Sequence, residues 1–426
     1  MTGPRPTSQR PTSVPASPSP DADPRTDLAT AAQPTPGQPR LLRLLNDRTA
    51  LDLLLEYGPL SRVQICDLTG LSKPTASRLL ARLEDVGLVR PVGTSSGGPG
   101  RNAVLYAVHG PAAYVAAVNL TPRRITARIA DLTGTVLAEE TVTVRAGDDR
   151  APAGLVPRAL AAAGTAGQVR PEELHSVTIS VPGAYDAEDD RVTLVEGLAG
   201  WGAPGALRAV RAALNPATVL VENDVNLAAV AERRHGVARS ADSFAVLWVS
   251  TGLGLAIDLG GHLHRGATGG AGEIGYMPVL GAAPTARTDF TDLVGAAAVR
   301  ALARQHGITA RSAPRAVEIA GAEATKESEA FLDELAARLA SGLAIITSVL
   351  DPHLIVLSGD TATAGGQQLA RRVQRALRRV SKLRPTVTVS GVTGNPALAG
   401  ALELSLNHTR DALFRASATD AVGFAR

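Results

Sequence analysis

The chain has 426 residues and carries 43 Lys+Arg against 40 Asp+Glu, a formal net charge of +3. That length exceeds one compact core and predicts two or three domains, and 45% hydrophobic residues suffice to fill them, which excludes disorder throughout. A single cysteine, Cys66, excludes a disulfide framework and a multi-cysteine zinc site, and the near-balanced charge makes any nucleic-acid surface a local one.

Residues 1–40 hold 10 of the 28 prolines, with Ser, Thr, Gln and Asp between them. So few large apolar residues cannot offset the entropy of ordering, which predicts a disordered tail, with a binding segment as the alternative. It lacks the apolar core of a signal peptide, and no run of about 18 uncharged apolar residues follows. The expectation is a cytoplasmic protein with no membrane partner. The lone cysteine fits a reducing compartment.

Residues 41–110 have a different character. Leu44, Leu45, Leu51, Leu54 and Leu55 recur at helical spacing, and Gly58-Pro59 stops that helix. Ser61 can cap a second helix carrying Val63, Ile65 and Leu68. Thr69-Gly70-Leu71 makes a tight turn, and Ser72 can cap a third helix with Pro74 in its first turn. Leu79, Leu80 and Leu83 give that helix a buried face, and Gly87 ends it. Two β runs, 88–92 and 103–108, flank a Gly-rich stretch over 94–101. This is the order of a winged helix-turn-helix. Ser72, Lys73, Thr75, Ser77, Arg78 and Arg82 supply donors on the third helix, and no acid precedes Glu84. The end of such a helix can receive a phosphate or enter a major groove. Arg62 and the wing residue Arg101 complete the expected contacts with double-stranded DNA, and the alternative is a helical domain that mediates protein contacts. Cys66 in the second helix reads as a small buried hydrophobe.

From about residue 111, strands alternate with helices. Strands are predicted over 114–120, 124–132, 135–144, 176–181, 218–221, 244–250, 253–259 and 354–357, with a helix over 151–163. Two successive mixed sheets with covering helices make a two-lobed α/β body. Three segments could carry chemistry. At Glu222-Asn223-Asp224-Val225-Asn226 a strand runs into a helix, where an Asp flanked by Asn can bind polyols or simply cap the helix. Val249-Ser-Thr-Gly-Leu-Gly-Leu is a Gly-rich hairpin between strands, a common turn of the kind that can cradle phosphate. Residues 266–276 hold five glycines around Glu273, either a close backbone approach with a sugar-hydroxyl acceptor or an ordinary loop. His262 and His264 have no third ligand nearby and read as surface residues, so no metal is expected.

The stretch Thr251-Gly-Leu-Gly-Leu through Arg265-Gly-Ala-Thr-Gly-Gly-Ala-Gly-Glu-Ile-Gly-Tyr-Met-Pro, with Glu222-Asn-Asp-Val-Asn upstream, resembles the ROK family of repressors, open reading frames and sugar kinases. Gly58-Pro-Leu-Ser-Arg and Thr69-Gly-Leu-Ser-Lys-Pro-Thr-Ala-Ser-Arg resemble the winged helix of its repressor branch. The resemblance spans about residues 41–410. It implies an actin-like (sugar kinase/Hsp70-type) α/β body of two lobes, preceded by a winged helix-turn-helix, in a homodimer or homotetramer. The expected division is 1–40 tail, 41–110 winged helix, 111–221 first lobe and 222–426 second lobe, with the C-terminal helices returning to the first.

By that resemblance, Asp224 matches the kinase general base, and Asn223, Glu273 and the Tyr276 position match sugar-binding residues. The departures weigh more. The Asp-x-Gly-Gly-Thr that holds ATP phosphates is replaced by Asn119-Leu120-Thr121-Pro122-Arg123, and proline removes a phosphate-binding N–H. The family's zinc loop has one His and three Cys; here Tyr276 stands at the His position and 281–290 holds no cysteine. The second sugar-binding Glu falls near Thr291 or Asp292, and a sugar-binding Asn becomes Gly197. On the adenosine side, Leu354-Ile-Val-Leu-Ser-Gly-Asp has Ser358 for a Gly. The expectation is therefore a sugar-responsive transcriptional regulator of carbohydrate genes, with repression the commoner sign, no catalytic residue and no cofactor. The competing reading is an ATP-dependent sugar kinase with an added DNA-binding module.

Overall fold

The computed structural model describes residues 38–95, 103–145, 151–195, 197–279 and 288–420. Two compact units divide the chain, Met1–Leu45 and Asn46–Arg426, and of the first only the helical residues from Gln38 are described. Arg101 and most of the expected zinc loop lie outside the described residues.

Helix α1 (Gln38–Tyr57) begins three residues inside the predicted tail, because a proline such as Pro39 is tolerated in a first turn. Gly58, at φ +78°, ends it. Strand β1 (Leu60–Ser61) leads into α2 (Arg62–Thr69), where Ser61 and Gln64 form a reciprocal capping box: the Ser61 N–H donates to Gln64 Oε1 at 2.9 Å and the Gln64 N–H to Ser61 Oγ at 3.3 Å. Gly70 closes α2 in the left-handed region, and Ser72 caps α3 (Lys73–Asp85). Strands β2 (Val89–Ser95) and β3 (Ala103–Val108) pair antiparallel, and β1 adds to β3. Leu51, Leu54, Ile65, Leu79, Leu80 and Leu83 are buried together, with Cys66 half-buried against them.

The body follows in two halves. The first holds β4 (Tyr114–Thr121), β5 (Arg124–Asp131), β6 (Val136–Thr143), α4 (Pro152–Gly167), β7 (Leu174–Val181), the hairpin β8 (Ala184–Asp186) and β9 (Arg191–Thr193), α5 (Ala206–Ala213) and β10 (Thr218–Asn223). Its sheet runs β10–β7–β4–β5–β6. Then come α6 (Asp224–His235), β11 (Ser243–Val249), β12 (Leu253–Leu259), β13 (His262–Leu263), α7 (Phe290–Val294), α8 (Ala296–Gln305), α9 (Ala313–Glu323), α10 (Lys326–Leu350), β14 (Leu354–Ser358), α11 (Asp360–Val380), β15 (Thr386–Val389) and α12 (Pro396–Asp420). The second sheet runs β13–β12–β11–β14–β15. Both sheets repeat one plan: an antiparallel three-strand meander, then two strands added parallel on the other side of its first strand. This is the two-lobed actin-like body behind a winged helix.

Alternation along the strands decides what each face receives. Val118, Ile179 and Val221 point to α4 and α5, packing on Val156, Leu160 and Val210. Val115 and Ala117 point the other way, to Leu398, Ala401 and Leu406 of α12. That face also carries polar pins: Ser405 Oγ donates to the Ala116 carbonyl at 2.9 Å and shares a hydrogen bond with Thr178 Oγ1 at 2.7 Å. Helix α6 lies between α12 and the second sheet, whose opposite face is covered by helices of the second half through Leu247, Phe290, Phe331 and Leu335. Among the described residues no helix is long and apolar enough to cross a membrane.

Candidate functional site

The winged helix offers one surface. On α3 the core takes Ala76, Leu79, Leu80 and Leu83, and the 3.6-residue period turns Lys73, Thr75 and Arg78 outward, with Ser77 half-buried beside them. Arg62, the first residue of α2, is exposed as well. No ion pair joins Arg62, Lys73 or Arg78 to an acid among the described residues, so their charge stays available to a phosphate or a base. The N-cap is engaged: the Thr75 N–H donates to Ser72 Oγ at 3.4 Å and the two hydroxyls bond at 2.8 Å. Ser77 Oγ donates to the Lys73 carbonyl, which leaves it lone pairs for a partner.

Arg82 departs from the expectation. Its guanidinium grips Asp47 of α1 in a bidentate pair, Nε to Oδ2 at 3.2 Å and Nη2 to Oδ1 at 2.5 Å. At the flank of the buried stripe, beside α1, it neutralises an acid and braces α3 while its side chain stays 38% exposed. The sequence could not show this partner, which is 35 residues away.

The second surface is built where three segments of the body meet. The β10–α6 junction brings Glu222, Asn223 and Asp224. Asn223, rather than Asp224, caps α6: its Oδ1 accepts from Val225 N–H at 2.8 Å and Asn226 N–H at 3.0 Å, and its Nδ2 donates to the Gly183 carbonyl beyond β7. The capping reading thus holds for Asn223, which keeps one amide hydrogen for anything else. Glu222 is buried, accepting from Asn223 N–H and Asn226 Nδ2 at 2.9 Å, and its other oxygen pairs with Arg265 Nε at 2.6 Å. That pair pins the Gly-rich segment to the junction. Its glycines are required: at Gly269 and Gly272, both at positive φ, an added Cβ would overlap the carbonyl oxygens of Tyr185 and Leu255.

The segment so held brings Glu273 toward Asp224. Asp224 keeps a narrow opening to solvent, yet protein atoms crowd it closely, and desolvation pushes its carboxyl up to about 7. The Val225 N–H works against that rise, and the neighbouring Glu273 carboxylate adds to it. Glu273 is itself raised by desolvation. Two neighbouring, partly buried carboxyls with one cap amide beside them can accept from a polyol. Tyr276, in the 3₁₀ turn Ile274–Tyr276, is 45% exposed at the rim. Thr291 Oγ1 donates to the Gly275 carbonyl and Asp292 caps α7 through the Asp289 N–H, so both side chains are engaged in holding the loop and helix. His262 and His264 are exposed, and no group of three metal-ligating side chains forms among the described residues.

The stretch expected to replace the phosphate loop is a closed hairpin. Thr121 pairs with Arg124 across Pro122-Arg123, and Thr121 Oγ1 both donates to the Arg124 carbonyl at 2.9 Å and accepts from its N–H at 3.0 Å. The Pro122 ring packs on Gly197. In the second lobe, Ser250 Oγ donates to Asp360 Oδ2 at 3.3 Å, and Gly359 lies so close to Val249 that a Cβ would overlap it. The Ser358 hydroxyl is buried there with no hydrogen-bond partner in the described structure.

The pattern of the ROK family matches residues 115–408, and that of the MarR family matches residues 38–101. The xylose repressor of Bacillus subtilis is 24% identical over 238 residues, 56% of this chain and 61% of the repressor. The DNA-binding transcriptional dual regulator NagC of Escherichia coli is 25% identical over 245 residues, 57% of this chain and 59% of NagC. The chain thus spans about three fifths of the length of the curated relatives it matches. Among solved structures, a ROK family transcriptional regulator homologous to the E. coli MLC protein has a TM-score of 0.69 at 18% identity. That match covers 89% of this chain and all of the other. At such identity the likeness shows the fold alone.

Proposed function

Because the chain belongs to the ROK family, we propose that it is a cytoplasmic DNA-binding transcriptional repressor of carbohydrate genes, with a kinase-like body that senses a sugar or sugar phosphate. The observation that carries this reading is the closed hairpin at Thr121–Arg124. Phosphoryl transfer depends almost wholly on positioning the phosphates and their metal. A proline turn clamped by a threonine hydroxyl presents no cradle for them, so Asp224 accepts from a ligand hydroxyl without catalysing transfer.

The division proposed is a leading segment to residue 40, a winged helix over 41–110 and lobes over 111–221 and 222–426, with α12 returning to the first sheet. Arg62, Ser72, Lys73, Thr75, Ser77 and Arg78 contact the operator, with Arg101 on the wing. Asp224 and Glu273 lead the sugar site, with Asn223 and Tyr276 at its edge. Two copies of α3 in a homodimer, or in a tetramer built from dimers, enter successive major grooves of a pseudo-palindrome. Similarity to the xylose repressor and to NagC supports both the operator and a sugar effector.

The test is calorimetric titration of the full chain with D-xylose, D-glucose and N-acetyl-D-glucosamine, with and without ATP-Mg, beside selection of its binding site from random duplex DNA. One sugar binds, ATP leaves its affinity unchanged, and saturation shifts DNA affinity. Turnover of ATP with any of these sugars overturns the reading in favour of a kinase.

A further inference from the structure

The reading of Asp224 as the effector site leaves open how the winged helix learns that the site is filled. Helix α6 begins at Asp224 and ends at Arg234-His235. Among the described residues it packs on α12 more extensively than any other pair of elements packs together. They approach closely at Gly400, where an added Cβ would overlap the Leu227 carbonyl oxygen. Backbone meets backbone there, with no flexible side chain between to absorb a displacement.

The far end of α6 is clamped to the same helix. His235 Nε2 meets Glu403 Oε1 at 2.9 Å and Arg234 Nε approaches Glu403 Oε2 at 3.7 Å, with the Glu403 side chain only 10% exposed. About two turns further along α12, Arg410 donates to the Leu132 carbonyl from Nη2 at 2.8 Å and Nε at 3.3 Å. Asp411 pairs with Arg48 of α1 at 2.7 Å, and Phe414 is buried in the winged-helix core beside Leu132.

One helix therefore touches the ligand helix at one end and the DNA-binding core at the other. We propose that α6 and α12 form the relay between the two sites, with Gly400 and Glu403 as positioning residues that pass a shift of α6 to the winged helix. Neither touches the ligand recess or the DNA-facing side of α3. A ligand at Asp224 that favours one placement of α6 then biases the winged helix by the same factor by which DNA biases the ligand.

The test rests on the sugar reading in its first arm and is independent of it in its second. The full chain and its Glu403→Gln variant, which keeps the side-chain shape, are titrated with D-xylose, D-glucose and N-acetyl-D-glucosamine, and DNA affinity is measured on the selected site. A sugar that shifts wild-type DNA affinity by about tenfold binds Glu403→Gln with an unchanged Kd, but shifts its DNA affinity by less than about threefold. A full shift in the variant overturns the relay. If none of the three sugars binds, the effector reading falls, and Asp224→Asn replaces the ligand as the perturbation. Its effect on DNA affinity must then differ between the wild-type and Glu403→Gln backgrounds. Equal effects, or none in either background, overturn the relay.

Discussion

Asp224 is the residue whose environment differs most from what its neighbours in sequence suggest. Its carboxyl is raised from 3.8 to about 7, first by desolvation and then by Glu273. The folded protein therefore holds a proton that the unfolded chain releases at lower pH. Such a group stabilises fully below the unfolded value, and the stabilisation is lost as pH rises through the folded value. Asp224→Asn removes that loss, so urea midpoints should show the variant gaining on the parent between about pH 4 and pH 7, with no further gain above. The gain is about 2 kcal/mol, reduced from the full conversion because the recess keeps an opening. Two arginines one turn apart on α3 should separate cleanly. Arg78→Ala weakens operator binding by about 1–3 kcal/mol in a titration if it reads a base, with little change in melting. Arg82→Ala breaks the Asp47 pair, costs less than about 1 kcal/mol of stability, and leaves the DNA face intact. The local pattern made the two look alike, and only packing against α1 distinguishes them.

At the scale of elements, the winged helix was legible because every boundary has a local cause. Gly58-Pro59, Ser61, Gly70 and Ser72 each stop or cap a helix through groups within four residues of themselves. The Gly-rich loop was legible in composition and illegible in purpose. Its glycines answer to Tyr185 and Leu255, which approach from β8 and β12. Gly272→Ala meets both a positive φ of 92° and the Leu255 carbonyl, so it should displace Glu273. Calorimetry should find sugar binding lost, with a fall of about 1–3 kcal/mol in stability by denaturant titration. The β8–β9 hairpin and the two-residue β13 carried no period long enough to read.

At the scale of the whole molecule, the winged helix and body share side chains. Ala113, Leu132 and Phe414 belong to the winged-helix core although they come from the body's side of the sequence. From residue 46 onward the chain should melt as one cooperative unit. Phe414→Ala opens a cavity in that shared core at a cost of about 3 kcal/mol. Differential scanning calorimetry should then resolve two transitions where the parent shows one; a single transition in the variant would place the coupling elsewhere.

The sequence by itself determined the order of the longer strands and helices, the caps of the winged helix, and the family. Each of these rests on spacing along the chain or on short motifs. It also located the departure from the kinase pattern at Asn119–Arg123, since a proline and missing glycines change the backbone wherever they occur. Only the tertiary structure decided which side chains are occupied and which remain available. Glu222 and Arg265 turned out to be the pin, Arg82 a brace, and Gly400 a point where two helix backbones touch. Each of these depends on a partner brought close by folding, and pairing across tens or hundreds of residues leaves no periodic trace in the chain.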